Sequence, residues 1–301
     1  MLKTLQFLIL LIILHCVLPT GLKSQVTHFQ GKEDTLAKIG NDLWKSRSDH
    51  LKLQLADSLF TTFISVLSQA GSFNYPFDSL RGISKLEAKN SDFRIFSWNT
   101  PFSNGTFRFD GIIQNQEGKL FPLTNTGALP LNRMNSKLAS NDWYGAVYYA
   151  LIEKEVNKKT VYTLLGWNGN TASSNVKIID VLSFSSEGSP IFGDFIFKTA
   201  EGKKPRVVIE YAENANALVR FDLQKLLLKK GKRVKAQSEW MIVMDRLAPM
   251  APNMEGIRKY YVPTGDTYDA YIFRDGFWLL AEDIMVANPS TSGKPSGADR
   301  K

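Results

Sequence analysis

The side chains able to do chemistry are few in kind. Histidine occurs at His15, His28 and His50 and nowhere between Asp92 and Ile284. A Ser–His–Asp hydrolase needs an imidazole beside its serine and could use only His28 or His50; a zinc hydrolase takes two or three histidines at spacings such as HExxH, and no such spacing is present. No GxxxxGK[ST] phosphate loop and no GxGxxG fingerprint occurs. The single cysteine, Cys16, stands near the N-terminus. What is left is carboxylate, lysine and tyrosine chemistry. Asp110, Asp142, Asp180 and Asp194 lie in the middle of the chain, and Asp266, Asp269, Asp275, Glu282 and Asp283 near its end. A glycosidase needs two such groups ~5–9 Å apart across a cleft. Sequence alone does not say which two would face each other, and Asp275 is accounted for by a turn with Gly276. No Ser-x-x-Lys stands out as a serine–lysine dyad. The segment Thr264 to Asp269 offers oxygens but lacks the twelve-residue calcium pattern, and reads as a turn. No metal site and no cofactor are expected.

Aromatic residues are the other chemistry-bearing group. Trp98, Trp143, Tyr144, Trp167, Tyr260, Tyr261, Tyr268 and Trp278 fall at expected strand ends or beside turns. Rings there, near Asn and Asp, would stack on sugars while the polar groups take hydroxyls; equally, such rings form the edges of a core. Trp143 and Trp167 close the open end of one hairpin, with Tyr144 and Asn168 beside them, and these four are the expected ligand-binding residues. Asn168-Gly169-Asn170 reads as a tight turn before it reads as a ligand loop.

The hairpin that would position them is Asp142 to Asn170. Trp143 to Val156 and Thr160 to Trp167 are rich in aromatic and β-branched residues, and Asn157, Lys158 and Lys159 give a usual hairpin loop length. Val147 to Ile152 is apolar at both parities, which predicts a strand covered on both faces and central in its sheet. Around it, strand follows strand. Phe93–Trp98 and Thr106–Ile113 flank Asn104-Gly105, and Lys119–Leu123 follows Glu117-Gly118. A polar loop, Thr124–Asn141, carries Pro130. Val176–Phe184, Ile191–Lys198, Arg206–Tyr211 and Ala217–Leu223 come next. Leu226–Lys229, Trp240–Met244 and Tyr260–Val262 are shorter candidates, and Tyr268–Ile284 turns at Asp275-Gly276. Spacing of about a dozen residues between turns predicts an antiparallel meander. No alternation of strand and long helix supports a parallel nucleotide-binding fold. An irregular propeller-like arrangement is the alternative, though no fixed-period signature is present.

Two helices precede the strands. Asp34 caps a short one through Trp44, after a loose stretch Gln25–Lys32. The second starts at Ser48 or Asp49 and runs to about Ala70, with Leu51, Leu55, Leu59, Phe63 and Leu67 on one stripe; Gly71 and Pro76 end it. Lys3, then the apolar run Phe7–Leu18, then Pro19 and Ser24 read as a signal peptide over 1–24. The run is too short to span a bilayer comfortably, so a secreted or periplasmic protein with no transmembrane span in its mature chain is expected. Cleavage removes Cys16 and excludes a disulfide framework. It also removes Lys3 and Lys23 from the formal charge of +8, leaving a mild positive balance that does not indicate nucleic acid. The densest basic run, Lys229 to Lys235, has no interleaved aromatics for base stacking and reads as solvated turn charges, with contact to an anionic surface as the second reading. Residues 288–301 are Pro, Ser, Gly and Lys, a disordered tail.

The segments FRIFSWNT (93–100), YTLLGWNGN (162–170), RVVIEYAENA (206–215), MDRLAP (244–249) and YDAYIFRDGFWLLAED (268–283) resemble a group of uncharacterised secreted bacterial proteins over about residues 85–287. The group has no activity to transfer; the resemblance implies the compartment and one β-rich unit. The expected organisation is a signal peptide at 1–24, a helical segment at 25–91, an antiparallel β domain at 92–287 and the tail. The expected function is a non-enzymatic extracytoplasmic protein that binds an envelope or extracellular component, with a glycan in view. A carboxylate-dependent polysaccharide hydrolase and a structural subunit with a protein partner are the alternatives.

Overall fold

In the computed structural model the chain is described at residues 20–124, 134–230 and 233–284. The expected leader up to residue 19, the middle of the Thr124–Asn141 loop with Pro130, residues 231–232 of the basic run and the 288–301 tail lie outside these residues. Helices α1 (Thr20–Lys45) and α2 (Asp49–Leu67) come first. Strands β1 (Ser84–Glu87), β2 (Phe93–Pro101), β3 (Phe107–Asn115) and β4 (Leu120–Thr124) form a four-stranded antiparallel meander. A second sheet takes β5 (Leu138–Ala139), β6 (Val147–Val156), β7 (Lys159–Thr171), β8 (Ser174–Phe184) and β9 (Pro190–Phe192), in the order β5-β9-β8-β7-β6. β10 (Phe197–Thr199) and β11 (Gly202–Lys204) pass to a third sheet, while β12 (Val207–Ala212) returns to pair with β8. β13 (Val219–Lys230), β14 (Arg233–Pro249), β15 (Tyr261–Arg274) and β16 (Phe277–Ile284) complete the third sheet, in which β10 and β16 run parallel.

The protein is mainly β, and its two helices pack on a sheet. Four layers follow from the side-chain parity of the strands. Leu36, Leu43, Ala56, Leu59 and Phe63 of the helices meet Phe96, Trp98 and Ile112 of the first sheet. The opposite parity of that sheet, Phe93, Ile95, Phe109 and Ile113, packs on Tyr148, Leu164, Ile178 and Leu182 of the second. The second sheet's far face, Ile152, Leu165, Ile179 and Val181, meets Val219, Ile242, Tyr271 and Trp278 of the third. Neighbours such as Ile112/Ile113, Leu164/Leu165 and Ile178/Ile179 therefore serve different cores. That is why these strands read as unbroken apolar runs instead of alternating. Three open sheets stacked face to face replace the propeller-like alternative.

Several expectations need correction. β6 is covered on both faces, but it is the edge strand of its sheet rather than a central one. Its free edge is closed from the first sheet. Ser97 Oγ accepts from Tyr148 N at 2.9 Å, Ser84 Oγ donates to Tyr148 O and Glu153 accepts from Lys89 N. Side-chain partners of this kind keep an edge from pairing with another chain. The stretch Gln25–Lys32 is not loose but helical, because the stripe Phe29, Leu36, Leu43 runs at seven-residue spacing through it. Asp34, the expected cap, lies exposed within the helix. In α2 the buried face is Lys52, Ala56, Leu59, Phe63 and Val66, while Leu51 and Leu53 are exposed. Lys52 takes a core position by laying its stem inward and donating from Nζ to Pro101 O at 2.6 Å. Ile191–Lys198 is two strands in two sheets, broken at Gly193, whose φ of +89° sits in the left-handed region. The expected boundary at 91/92 falls inside the β1–β2 hairpin.

Under α2 the first sheet buries Trp98 Nε1 and Thr100 Oγ1 with no hydrogen-bond partner among the described residues. An unpaired buried hydroxyl costs its desolvation. Thr100→Val, which keeps shape and removes the hydroxyl, is thus expected to leave stability unchanged or to raise it by up to about 1 kcal/mol. Urea unfolding checks this, and a loss of more than that would mean the hydroxyl is paired.

Candidate functional site

The four residues expected to hold a ligand are brought to one end of the β6–β7 hairpin, but as internal fasteners. Trp143 follows a short 3-10 turn instead of starting the strand and is fully buried; its Nε1 donates to the Tyr148 hydroxyl at 2.9 Å. Its ring packs against Tyr148 and Phe192. Tyr144 is buried too, and burial pushes its hydroxyl up to about 12. Asn168 is buried with both ends of its amide used: Nδ2 donates to Gly145 O at 2.5 Å and Oδ1 accepts from Asn170 N at 2.6 Å. Trp167 is half-buried, edge-on to Phe107 at 5.3 Å. A sugar-stacking ring needs an open face, and Trp143 has none. Among the described residues no cluster of His, Cys, Asp and Glu is placed to hold a metal, and no helix is long and apolar enough to cross a membrane.

A cleft of about 730 Å³ opens elsewhere, between the end of α2, the start of β1 and β2 and the turn after β3. Its roof is the stretch Leu67–Pro76, where Gly71 takes a φ of +83° to leave the helix. Its floor is Arg94 of β2, which is 1% exposed. Arg94 Nη1 donates to Tyr75 O and Nη2 to Ser72 O, each at 2.7 Å, and Nε donates to Gln114 Oε1 at 2.9 Å. The rings of Phe73, Phe77 and Phe96 stand 5.0–5.3 Å from its Cζ. No carboxylate lies within ion-pair distance among the described residues, and burial lowers its pKa to about 10. The charge is held by carbonyl dipoles and ring faces instead.

These bonds fix the roof to the sheet. Gln114 Nε2 donates to Leu67 O and to Ser72 Oγ, both at 2.9 Å, and Ser72 Oγ donates to Leu67 O at 2.6 Å. From α1, the buried Glu33 accepts from the Tyr75 hydroxyl at 2.7 Å and from Ser79 N at 2.6 Å. The cleft is thus preformed, as ligand sites usually are. Its walls present the exposed amides of Asn74 and Gln116 beside the Phe73 ring, while the Gln69 amide is taken by His28 and Ser65 O and the Ser68 hydroxyl donates to Ile64 O. Two carboxylates, Glu87 and Glu117, and the ammonium of Lys85 line it as well.

In the linear sequence Leu67–Pro76 shows only two helix stops, Gly71 and Pro76, which hides this site. One signal was present: Arg94 is a lone cation in the apolar run Phe93–Trp98, and a charge there needs a constructed environment. No family model matches the chain, and neither a curated protein nor a solved structure shows significant similarity to it.

Proposed function

We propose that this chain is a non-enzymatic extracytoplasmic binding protein that takes a glycan or another polyhydroxylated envelope component in the Arg94 cleft. The observation that carries this reading is the preformed polar cleft, whose walls set the exposed amides of Asn74 and Gln116 beside an aromatic ring and a few charged groups. The leader-like residues Lys3 and Phe7–Leu18 support the compartment, and the resemblance to secreted bacterial proteins belongs to the same reading.

A thermal-shift screen of the protein against glycans and cell-wall fragments tests it. A ligand at ~100 times its dissociation constant adds ~2.7 kcal/mol, a rise of ~5 °C at ~2 °C per kcal/mol. Asn74 and Gln116 are exposed, so Asn74→Ala with Gln116→Ala should change the free protein by no more than ~0.5 kcal/mol while removing the shift. A shift retained in that variant sinks the cleft as the site. No shift with any sugar favours the reading as a subunit with a protein partner.

The hydrolase reading has one observation in its favour, that Glu87 and Glu117 line the same cleft. Product analysis on the sugar that gives a shift separates the two. Release of shorter fragments, lost in Glu87→Gln or Glu117→Gln, would make the protein an enzyme.

A further inference from the structure

Asn104-Gly105 and Asn168-Gly169 are the two Asn-Gly pairs of the chain, and the fold treats them in opposite ways. In such a pair the glycine nitrogen, with no Cβ in front of it, lies next to the asparagine side-chain carbonyl, and proximity lets it attack. Asn168 is held against that reaction. It is buried, its Nδ2 donates to Gly145 O at 2.5 Å, and a Cβ at Gly169 would stand 2.2 Å from the Phe107 ring. Neither the nitrogen that would leave nor the backbone that would move has room to do so. Asn104 is exposed at the tip of the β2–β3 hairpin, where Gly105 takes a φ of +77°. Its Oδ1 accepts from Thr106 N at 3.0 Å and from Thr106 Oγ1 at 2.7 Å, while its Nδ2 has no partner among the described residues. The restraint on the Gly105 nitrogen is one turn bond to Phe102 O, 3.1 Å long.

We propose that Asn104 is a self-modification site, which converts to aspartate and isoaspartate at the hairpin tip. The Gly105 nitrogen bonds to Asn104 Cγ, its proton passes through water to Nδ2, and the Cγ–Nδ2 bond breaks to release ammonia and leave a succinimide. Water then adds to one of the two imide carbonyls and reopens the ring; nothing is oxidised or reduced. The Thr106 donors sit on the oxygen that gains charge as the nitrogen attacks, and the leaving nitrogen is in solvent. What the tip holds sets the consequence. Ser103 N and Oγ donate to the Asp49 carboxylate in the first turn of α2, at 2.5–3.1 Å. On the other side, a Cβ at Gly105 would stand 2.8 Å from Ala172 Cβ in the β7–β8 turn. Isoaspartate adds one methylene to the main chain between these two contacts. Both products also place a negative charge next in sequence to the residue that holds Asp49.

The test is incubation of the full chain in mildly alkaline buffer, folded and in urea, with peptide mapping by mass spectrometry and isoaspartyl methyltransferase labelling. In the folded protein conversion at Asn104 should run at least about tenfold faster than at Asn168, which reacts only through local opening. In urea the two rates should converge. Asn104→Gln, whose longer side chain disfavours the imide ring, should abolish labelling at the tip. The converted protein, separated by its added charge on ion exchange, should melt about 2–4 °C below the unconverted protein. Asn104→Asp carries the charge without the methylene and should fall between them. Conversion at Asn104 no faster than at Asn168 in the folded chain, or labelling at the tip that persists in Asn104→Gln, would overturn the site. A converted protein that melts with the unconverted one would overturn its effect on the tip.

Discussion

Arg206→Ala is expected to lower the unfolding free energy by about 3–5 kcal/mol, the cost of leaving one partner of a buried pair alone. Arg206 and Asp180 are both buried, with Nε 3.3 Å from Oδ2. The guanidinium does more than pair. Nη1 donates to Met134 O at 2.7 Å and Ser136 O at 2.9 Å, and Nη2 to Phe192 O at 3.1 Å. It thereby binds the segment before β5, the end of β9 and the start of β12 to β8. At Gly193 an added Cβ would stand 2.5 Å from Nη2, so the close approach as well as the positive φ requires glycine there.

Two controls separate charge from bonding. Changing both Asp180 and Arg206 to apolar residues removes the orphaned carboxylate but still takes the guanidinium's bonds from the Met134, Ser136 and Phe192 carbonyls, so the double variant should lie between wild type and Arg206→Ala. Burial raises the Asp180 carboxyl, and Arg206 opposes that rise; without Arg206 it rises further. The folded state then holds a proton that the unfolded state has lost, so stability falls as pH increases through that window. Arg206→Ala should therefore recover part of its loss in urea unfolding at mildly acidic pH. A deficit that does not change with pH would mean the lost carbonyl bonds, and not the charge, carry the cost.

Much of the architecture was legible because turns and apolar runs are local signals. Asn104-Gly105, Glu117-Gly118 and Asp275-Gly276 all stand at turns, with positive φ at Gly105, Gly118, Asp275 and Gly276. The two helices and their order were also readable. Position within a sheet was not. An apolar run at both parities reports two covered faces, and β6 has them, yet whether a strand has neighbours on both edges depends on which distant segments reach it. Strand length is hidden for the same reason. Leu226–Lys229 and Trp240–Met244 were visible only as fragments of β13 and β14, since lysines interrupt the apolar pattern while the strands continue. The cleft was the least legible feature. Its roof, floor and walls come from segments separated by up to about fifty residues, and Arg94 alone marks it in the linear text. Aromatic content misled in the opposite direction, because a tryptophan beside a turn has the same sequence signature whether it faces solvent or core.

That ambiguity gives the second large expected effect, at Trp143. As a sugar platform its loss would abolish binding and leave the fold intact. As a core residue, Trp143→Ala should cost about 3–5 kcal/mol by opening a cavity that its neighbours only partly fill. It would also leave the Tyr148 hydroxyl, which burial raises well above its ordinary value, without the indole donor. Trp143→Phe retains most of the volume and loses only that bond, so it should cost less, about 1–3 kcal/mol. Neither change touches the cleft, whose floor and roof hang on Arg94, Gln114 and Glu33. The folded fraction of each variant should therefore bind any cleft ligand with wild-type affinity, measured at a temperature where Trp143→Ala is still folded. Phe73→Ala at the cleft should show the reverse, weakened binding with a smaller loss of stability. If Trp143→Ala proves stable but unable to bind, the ligand belongs to the hairpin end, and the cleft is only the place where a helix is tied to its sheet.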